Sequence, residues 1–140
     1  MKKSGFTVVE LLVVLTILAI LLAIVLPSYS QYRITANRAA AKAFLLEIFN
    51  RQDVRIGQTG TYASTLVDLG LTIPADVQTA GYAVSITTTT LTLQAAVGTE
   101  PAVTMPGFTA SATPAGESIQ INDGTLTINQ FGLKTPVNKW

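Results

Sequence analysis

The segment that most constrains this chain is residues 6–26, FTVVELLVVLTILAILLAIVL, an apolar run whose only charged residue is Glu10. At 1.5 Å of rise per residue, a helix of this length covers about 30 Å, the thickness of a bilayer's hydrocarbon core. A soluble core helix would carry a polar stripe of 3.6-residue period. Here every face from Leu11 onward is apolar except at Thr16, whose hydroxyl can bond back to a carbonyl of its own helix. The expected first solvent of this segment is therefore lipid. Lys2 and Lys3 precede it with no acidic residue among them. That asymmetry predicts a cytoplasmic N-terminus, a single pass through the inner membrane and export of everything after Leu26.

Two details separate this run from a secretory signal. Such a signal has a shorter apolar core ended by a small-residue cleavage site, whereas here the small residue Gly5 precedes the run and its far end reads Val25-Leu26-Pro27-Ser28. The second detail is Glu10, because a carboxylate in a membrane helix is costly to bury and calls for a partner. The stretch Gly5-Phe6-Thr7-Val8-Val9-Glu10-Leu11-Leu12-Val13 resembles the processing and methylation site of type IV prepilins and related pseudopilins. The resemblance implies that residues 1–5 are a leader, cut between Gly5 and Phe6 by a prepilin peptidase. It also implies N-methylation of Phe6 and transfer from the inner membrane to an extracellular pilus by the pilus assembly machinery. Cleavage would leave an α-ammonium on Phe6, and in a low-dielectric bundle of helices that group is a natural partner for Glu10 of a neighbouring subunit. Phe6, Glu10 and Pro27 are thus the expected assembly residues of a homo-oligomeric helical filament.

Pro27 should kink or locally open the helix, since it removes one backbone bond and crowds the preceding turn. From residue 28 to about Asp53 there is no glycine or proline, and Tyr29, Tyr32, Ala36, Ala39, Ala43 and Leu46 step by three and four along one face. Arg33, Asn37, Arg38 and Lys42 mark the polar face, while Phe44, Leu45, Ile48 and Phe49 widen the apolar stripe where a sheet should pack. A helix over 6–53 would be about 70 Å long, with 6–26 its transmembrane and filament-core part. Residues 54–140 then form a head. In it, 56–81 reads as a connecting loop with one helical turn near 64–69, broken by Gly57, Gly60 and Gly70.

Alternation of Tyr82, Val84 and Ile86, and again of Leu91, Leu93 and Ala95, predicts two half-buried strands turning at Thr88-Thr89 or through a longer loop. Residues 97–107 read as a loop and 108–113 as a strand. Residues 118–129 read as a hairpin turning at Asp123-Gly124, with Ile121 opposite Leu126 and Ile119 opposite Ile128. The expected core joins Phe44, Leu45 and Ile48 to Val84, Ile86, Leu126 and Ile128. The fold class is α+β, a long N-terminal helix with a protruding apolar half and an amphipathic half packed on a small, mainly antiparallel β-sheet head. That is the type IV pilin fold the resemblance implies.

Two further stretches, Tyr62-Ala63-Ser64-Thr65-Leu66-Val67-Asp68-Leu69-Gly70-Leu71 and the segment from Gly124 to Trp140, resemble PilE-like major pilins. In that group a cysteine precedes the glycine and another precedes the terminal tryptophan. Here those places hold Asp123 and Lys139, and the chain has no cysteine at all. The disulfide-bounded loop is therefore missing, and an adhesive or receptor role assigned to it does not carry over. Ala19 and Glu47 stand where the family often has a glycine and a second helix proline.

Histidine and cysteine are both absent. No nucleophile and base, metal-ligand set or phosphate loop is visible, so no enzyme, catalytic residue, cofactor or metal is expected. Nine basic residues face eight acidic ones, and without Lys2 and Lys3 the balance is seven against eight, which does not describe a nucleic-acid binder. Arg33, Arg38, Lys42, Arg51 and Arg55 are the one set DNA could follow. Glu47 and Asp53 interleave with them, favouring a solvated helix face or a subunit contact. The leading expectation is a structural subunit of a type IV pilus serving adhesion, twitching motility or DNA uptake. The alternatives are a minor pilin that receives DNA or a surface, and a type II secretion pseudopilin, whose C-terminal calcium-site region is not recognisable here.

Overall fold

A computed structural model of the chain describes residues 7–95, 98, 101–116 and 118–140, the side chains at positions 27 and 28 excepted. Gly5 and Phe6 lie outside the described residues. The first element, α1, is Val8–Thr59. The chain divides into two units, Met1–Thr35 and Ala36–Trp140.

In the first unit, α1 opens on a side-chain cap, the Glu10 N–H donating to Thr7 Oγ1 at 3.2 Å. This satisfies one of the donors that a helix start leaves unpaired. The Thr16 hydroxyl donates to the Leu12 carbonyl at 2.8 Å, as an isolated hydroxyl in an apolar helix must. Every described side chain from Val8 to Leu26 is exposed. Helical backbone runs unbroken through position 27, so the residue expected to kink or open the helix does not end it. Nor does α1 stop near Asp53. It tolerates Gly57 and ends at Gly60, which takes φ +72° while its N–H bonds the Ile56 carbonyl at 2.9 Å.

The second unit packs the C-terminal part of α1 on one four-stranded antiparallel sheet of order β1-β2-β3-β4. The strands are β1, Tyr82–Gln94; β2, Val103–Pro114; β3, Leu126–Asn129; and β4, Lys134–Thr135. Ala41, Leu45, Ile48 and Gln52, at spacings of four, three and four, are fully buried, and Phe44 nearly so. Opposite them lie Ala110, Ala112, Leu126 and Ile128, also buried. Small alanines on the central strand let the helix approach the sheet, while the leucines and isoleucines bury most of the apolar area. Val84 and Ile86 join at the margin, half-buried. The stripe read from sequence, Ala36, Ala39, Ala43 and Leu46, turns out to be the outward face. Phe44, Leu45 and Ile48 do not widen that stripe; they claim the sheet side because each buries far more area than an alanine.

The strand boundaries correct the sequence reading in two places. β1 runs straight through Thr88-Thr89, because four consecutive β-branched threonines favour extended backbone and offer no residue suited to a tight turn. Its partner is β2, which begins at Val103 rather than 108, with Thr88 opposite Phe108. Of the loop expected at 97–107, positions 97, 99 and 100 lie outside the described residues. Pro106 is tolerated inside β2 because the Phe108 N–H turns away from β1 to Gln130 Oε1 at 3.2 Å. Two residues earlier, the missing N–H of Pro106 points the same way, beyond the end of β3. The second correction is at Asp123-Gly124, which is no hairpin turn. Ile121–Asp123 form a 3-10 turn, Ile119 and Ile121 are exposed, and β3 pairs with β2 instead.

Between α1 and β1 the chain carries a 3-10 turn, Val67–Leu69, inside the expected window, and a short α2, Ala75–Thr79, too brief to leave a periodicity. This connection is pinned by Gln52. Its Nε2 donates to the Ala63 carbonyl at 2.7 Å and its Oε1 accepts the Ala63 N–H at 2.8 Å, a side chain standing in for a strand partner. Gln52→Leu would leave both buried main-chain groups of Ala63 unpaired, at about 1 to 3 kcal/mol each. The variant is expected to lose about 2 to 6 kcal/mol in urea unfolding followed by circular dichroism; an unchanged midpoint would show that the clamp contributes nothing.

Candidate functional site

Of the expected assembly residues, Glu10 and Pro27 occupy α1. Glu10 is exposed in its first turn and is the only charged residue between Lys3 and Arg33. Glu10 and Pro27 are separated by about 25 Å of helix, so one chain does not bring them together, and Phe6 lies outside the described residues. The whole 8–26 segment is long and apolar enough to cross a membrane, with none of it buried.

In the second unit, Arg38, Tyr82 and Lys139 converge on Asp123. Its side chain is 1% exposed, and a carboxylate so placed stays ionised only with partners. Arg38, from α1, donates through Nε to Oδ2 at 2.8 Å and through Nη2 to Oδ1, a two-pronged contact. Tyr82, from β1, donates its hydroxyl to Oδ2 at 2.7 Å. Lys139 donates through Nζ to Oδ1 and to the Asn122 carbonyl, each at 3.3 Å, and to the Asp123 carbonyl. Burial alone would raise the Asp123 carboxyl, but the hydrogen bonds from Arg38, Tyr82 and Lys139 and the Arg38 charge outweigh it and hold the group below the usual carboxylate range. Burial, with the neighbouring carboxylate, pushes the Tyr82 phenol well up. The bond to Asp123 raises the Arg38 guanidinium despite its own partial desolvation.

A phenol held protonated and a guanidinium held charged bind and position; they do not carry protons. Among the described residues no group of His, Cys, Asp or Glu could hold a metal ion. The basic set read from sequence is not one track. Arg38 is committed to Asp123, Arg55 donates Nη1 to the Asp68 carbonyl at 2.8 Å, Lys42 is half-buried, and Arg33 belongs to the first unit. Arg51 is exposed on α1, and the Lys134 ammonium lies 5.1 Å from the Trp140 ring centroid. Sequence reasoning missed the Asp123 cluster. Its signal was present: opposite charges stand at the two positions where the resemblance places cysteines.

Because the folded Asp123 carboxyl lies below its unfolded value, its stabilisation is fully present above the ordinary carboxylate range. It is lost as pH falls through the depressed folded pKa. Asp123→Asn is expected to cost about 3 kcal/mol at neutral pH, the lower end for a broken buried pair since Arg38 and Lys139 keep some solvent. It should also flatten the acid limb of a stability-against-pH curve. An acid limb identical to the parent's would show that another carboxylate governs acid unfolding.

Comparisons with known proteins follow the same lines. A family model described as "Type IV minor pilin ComP, DNA uptake sequence receptor" matches residues 27–127, and one described as "Prokaryotic N-terminal methylation motif" matches residues 1–26. The chain is 36% identical over 80 residues to "Type IV wide pilus major component PilA4" of Thermus thermophilus, covering 54% of this chain and 61% of that one. It is 36% identical over 84 residues to "Fimbrial protein EcpC" of Eikenella corrodens, covering 60% and 48%. The match thus spans less than two thirds of the length of either relative. No solved structure matches. With a long N-terminal helix, a four-stranded antiparallel head and a family model spanning most of its length, the chain belongs to the type IV pilins, in the family of the minor pilin ComP.

Proposed function

We propose that this chain is a structural subunit of a type IV pilus, made as an inner-membrane precursor with its N-terminus in the cytoplasm and carried into a surface filament after cleavage between Gly5 and Phe6. The observation that carries this reading is α1 itself. From Val8 to Leu26 it exposes every side chain, all apolar except Glu10 and Thr16. Such a surface needs lipid before assembly and other helices after it. Membership of a pilin family supports a structural rather than catalytic role. The outward row Ala36, Ala39 and Ala43, with Leu46 at its end, offers a second apolar helix face for packing between subunits.

In this reading Glu10 meets the methylated Phe6 ammonium of a neighbour. Glu10→Gln is a clean probe, because glutamine suits the third helical position as well as glutamate does and leaves the Thr7 cap in place. Only the charge is removed, stranding a buried ammonium at about 3 to 5 kcal/mol. The expected result is normal membrane insertion with filament yield lost, and parent filaments whose N-terminal mass begins at methylated Phe6. Normal yield of Glu10→Gln filaments, or an intact Met1, would overturn the proposal.

A second reading, a DNA receptor within the pilus, is supported by the family's description and by the exposed cations Arg51 and Lys134. Duplex DNA held by sheared filaments should then be released by salt, with a slope of about 0.9 per phosphate contact on logarithmic axes. Retention that is insensitive to an Arg51→Ala, Lys134→Ala double substitution would remove these residues from the reading.

A further inference from the structure

Among the described residues β1 is an edge strand: the sheet order places β2 on one side of it and no strand on the other. The direction of its main-chain groups follows from two bonds. The Ala115 N–H donates to the Gly81 carbonyl at 2.7 Å, continuing the β1–β2 ladder, so the odd-numbered residues of β1 face β2. The Phe108 N–H turns to Gln130, away from its opposite residue Thr88. Val84, Ile86, Thr88, Thr90 and Thr92 therefore point their N–H and C=O groups outward. Among the described residues no main-chain bond from another element meets them.

Natural edges are usually blunted by a charge, a proline or a bulge. From Tyr82 to Gln94 β1 has no charged residue, proline or glycine, and its one irregularity, between Thr92 and Gln94, lies at the far end. We infer that this edge is a docking surface for the same edge of a second copy of this chain, the two β1 strands pairing antiparallel about Thr88. Thr88 is the centre of the free stretch. Pairing there sets Thr88 against Thr88, Ile86 against Thr90 and Val84 against Thr92, so every outward-facing residue meets another outward-facing residue. On the solvent face, Thr87 meets Thr89.

The occupant is a second copy for three reasons. An uncharged edge has nothing to steer a charged peptide, whereas it matches itself without repulsion. Hydroxyl pairs already join this sheet across its strands, Ser85 to Ser111 at 2.9 Å and Thr127 to Thr135 at 2.6 Å, and threonine pairs across β1 would extend that pattern. The other edge of the sheet cannot serve as the mate, because β4 is only Lys134–Thr135 and Pro136 follows it. The contact is thus two-fold rather than head-to-tail. A two-fold contact does not propagate a polar filament, so it links subunits of different filaments or unassembled pairs.

The chain has no cysteine, so a single introduced thiol reports the contact directly. In the full chain, in detergent and in sheared filaments, Thr88→Cys is expected to form a covalent dimer about tenfold faster than Val67→Cys, which is 84% exposed but lies in the 3-10 turn between α1 and β1. Thr90→Cys, facing Ile86 of the second copy, should lag behind Thr88→Cys. Thr88→Lys and Thr88→Glu should each reduce association, and mixing the two should restore it. Thr88→Cys dimers forming no faster than those of Val67→Cys, no recovery in the Lys and Glu mixture, or capture of a different protein by the Thr88→Cys thiol would each overturn the inference.

Discussion

The head depends on one carboxylate. Asp123 can remain ionised at 1% exposure only because Arg38 reaches it from α1, Tyr82 from β1 and Lys139 from the last turn of the chain. Three segments far apart in sequence are thereby fixed at a single point. Buried ion pairs are weak as a source of net stability, whereas removing one partner of such a pair is costly because the other is left buried and unpaired.

α1 is one helix written for two solvents. Up to Leu26 its side chains are apolar all round and exposed, while in the second unit only Ala41, Phe44, Leu45, Ile48 and Gln52 are buried. The change is made without breaking the backbone. Gln52 closes the buried stretch with a polar group, using the amide's two-sided hydrogen bonding to hold Ala63 where an apolar side chain could not.

Much of this was legible in the residues. The apolar run, its single carboxylate and the small residue ahead of it carry the resemblance to a prepilin N-terminus, and the core partners Phe44, Leu45, Ile48, Leu126 and Ile128 follow from size and alternation. What misled was local. Asp123-Gly124 has the chemistry of a hairpin turn, yet Asp123 is drawn inward by charges some 85 residues upstream and 16 downstream, which no short window contains. The alanine stripe had helical spacing on the wrong face, because periodicity counts apolar residues and packing weighs their area. Thr88-Thr89 lies midway between two alternating runs, and only β2, too glycine- and proline-rich at its start to look like a strand, shows that the extended backbone continues through it.

The two positions that are cysteines in similar pilins are here joined by attraction between Asp123 and Lys139. No thiol has to be oxidised for the C-terminal segment to close, so the head reaches its final form without help from a disulfide-forming enzyme, and a reductant has nothing in it to cut. Acid is expected to take over that part, because a proton on Asp123 removes the charge that Arg38 and Lys139 hold.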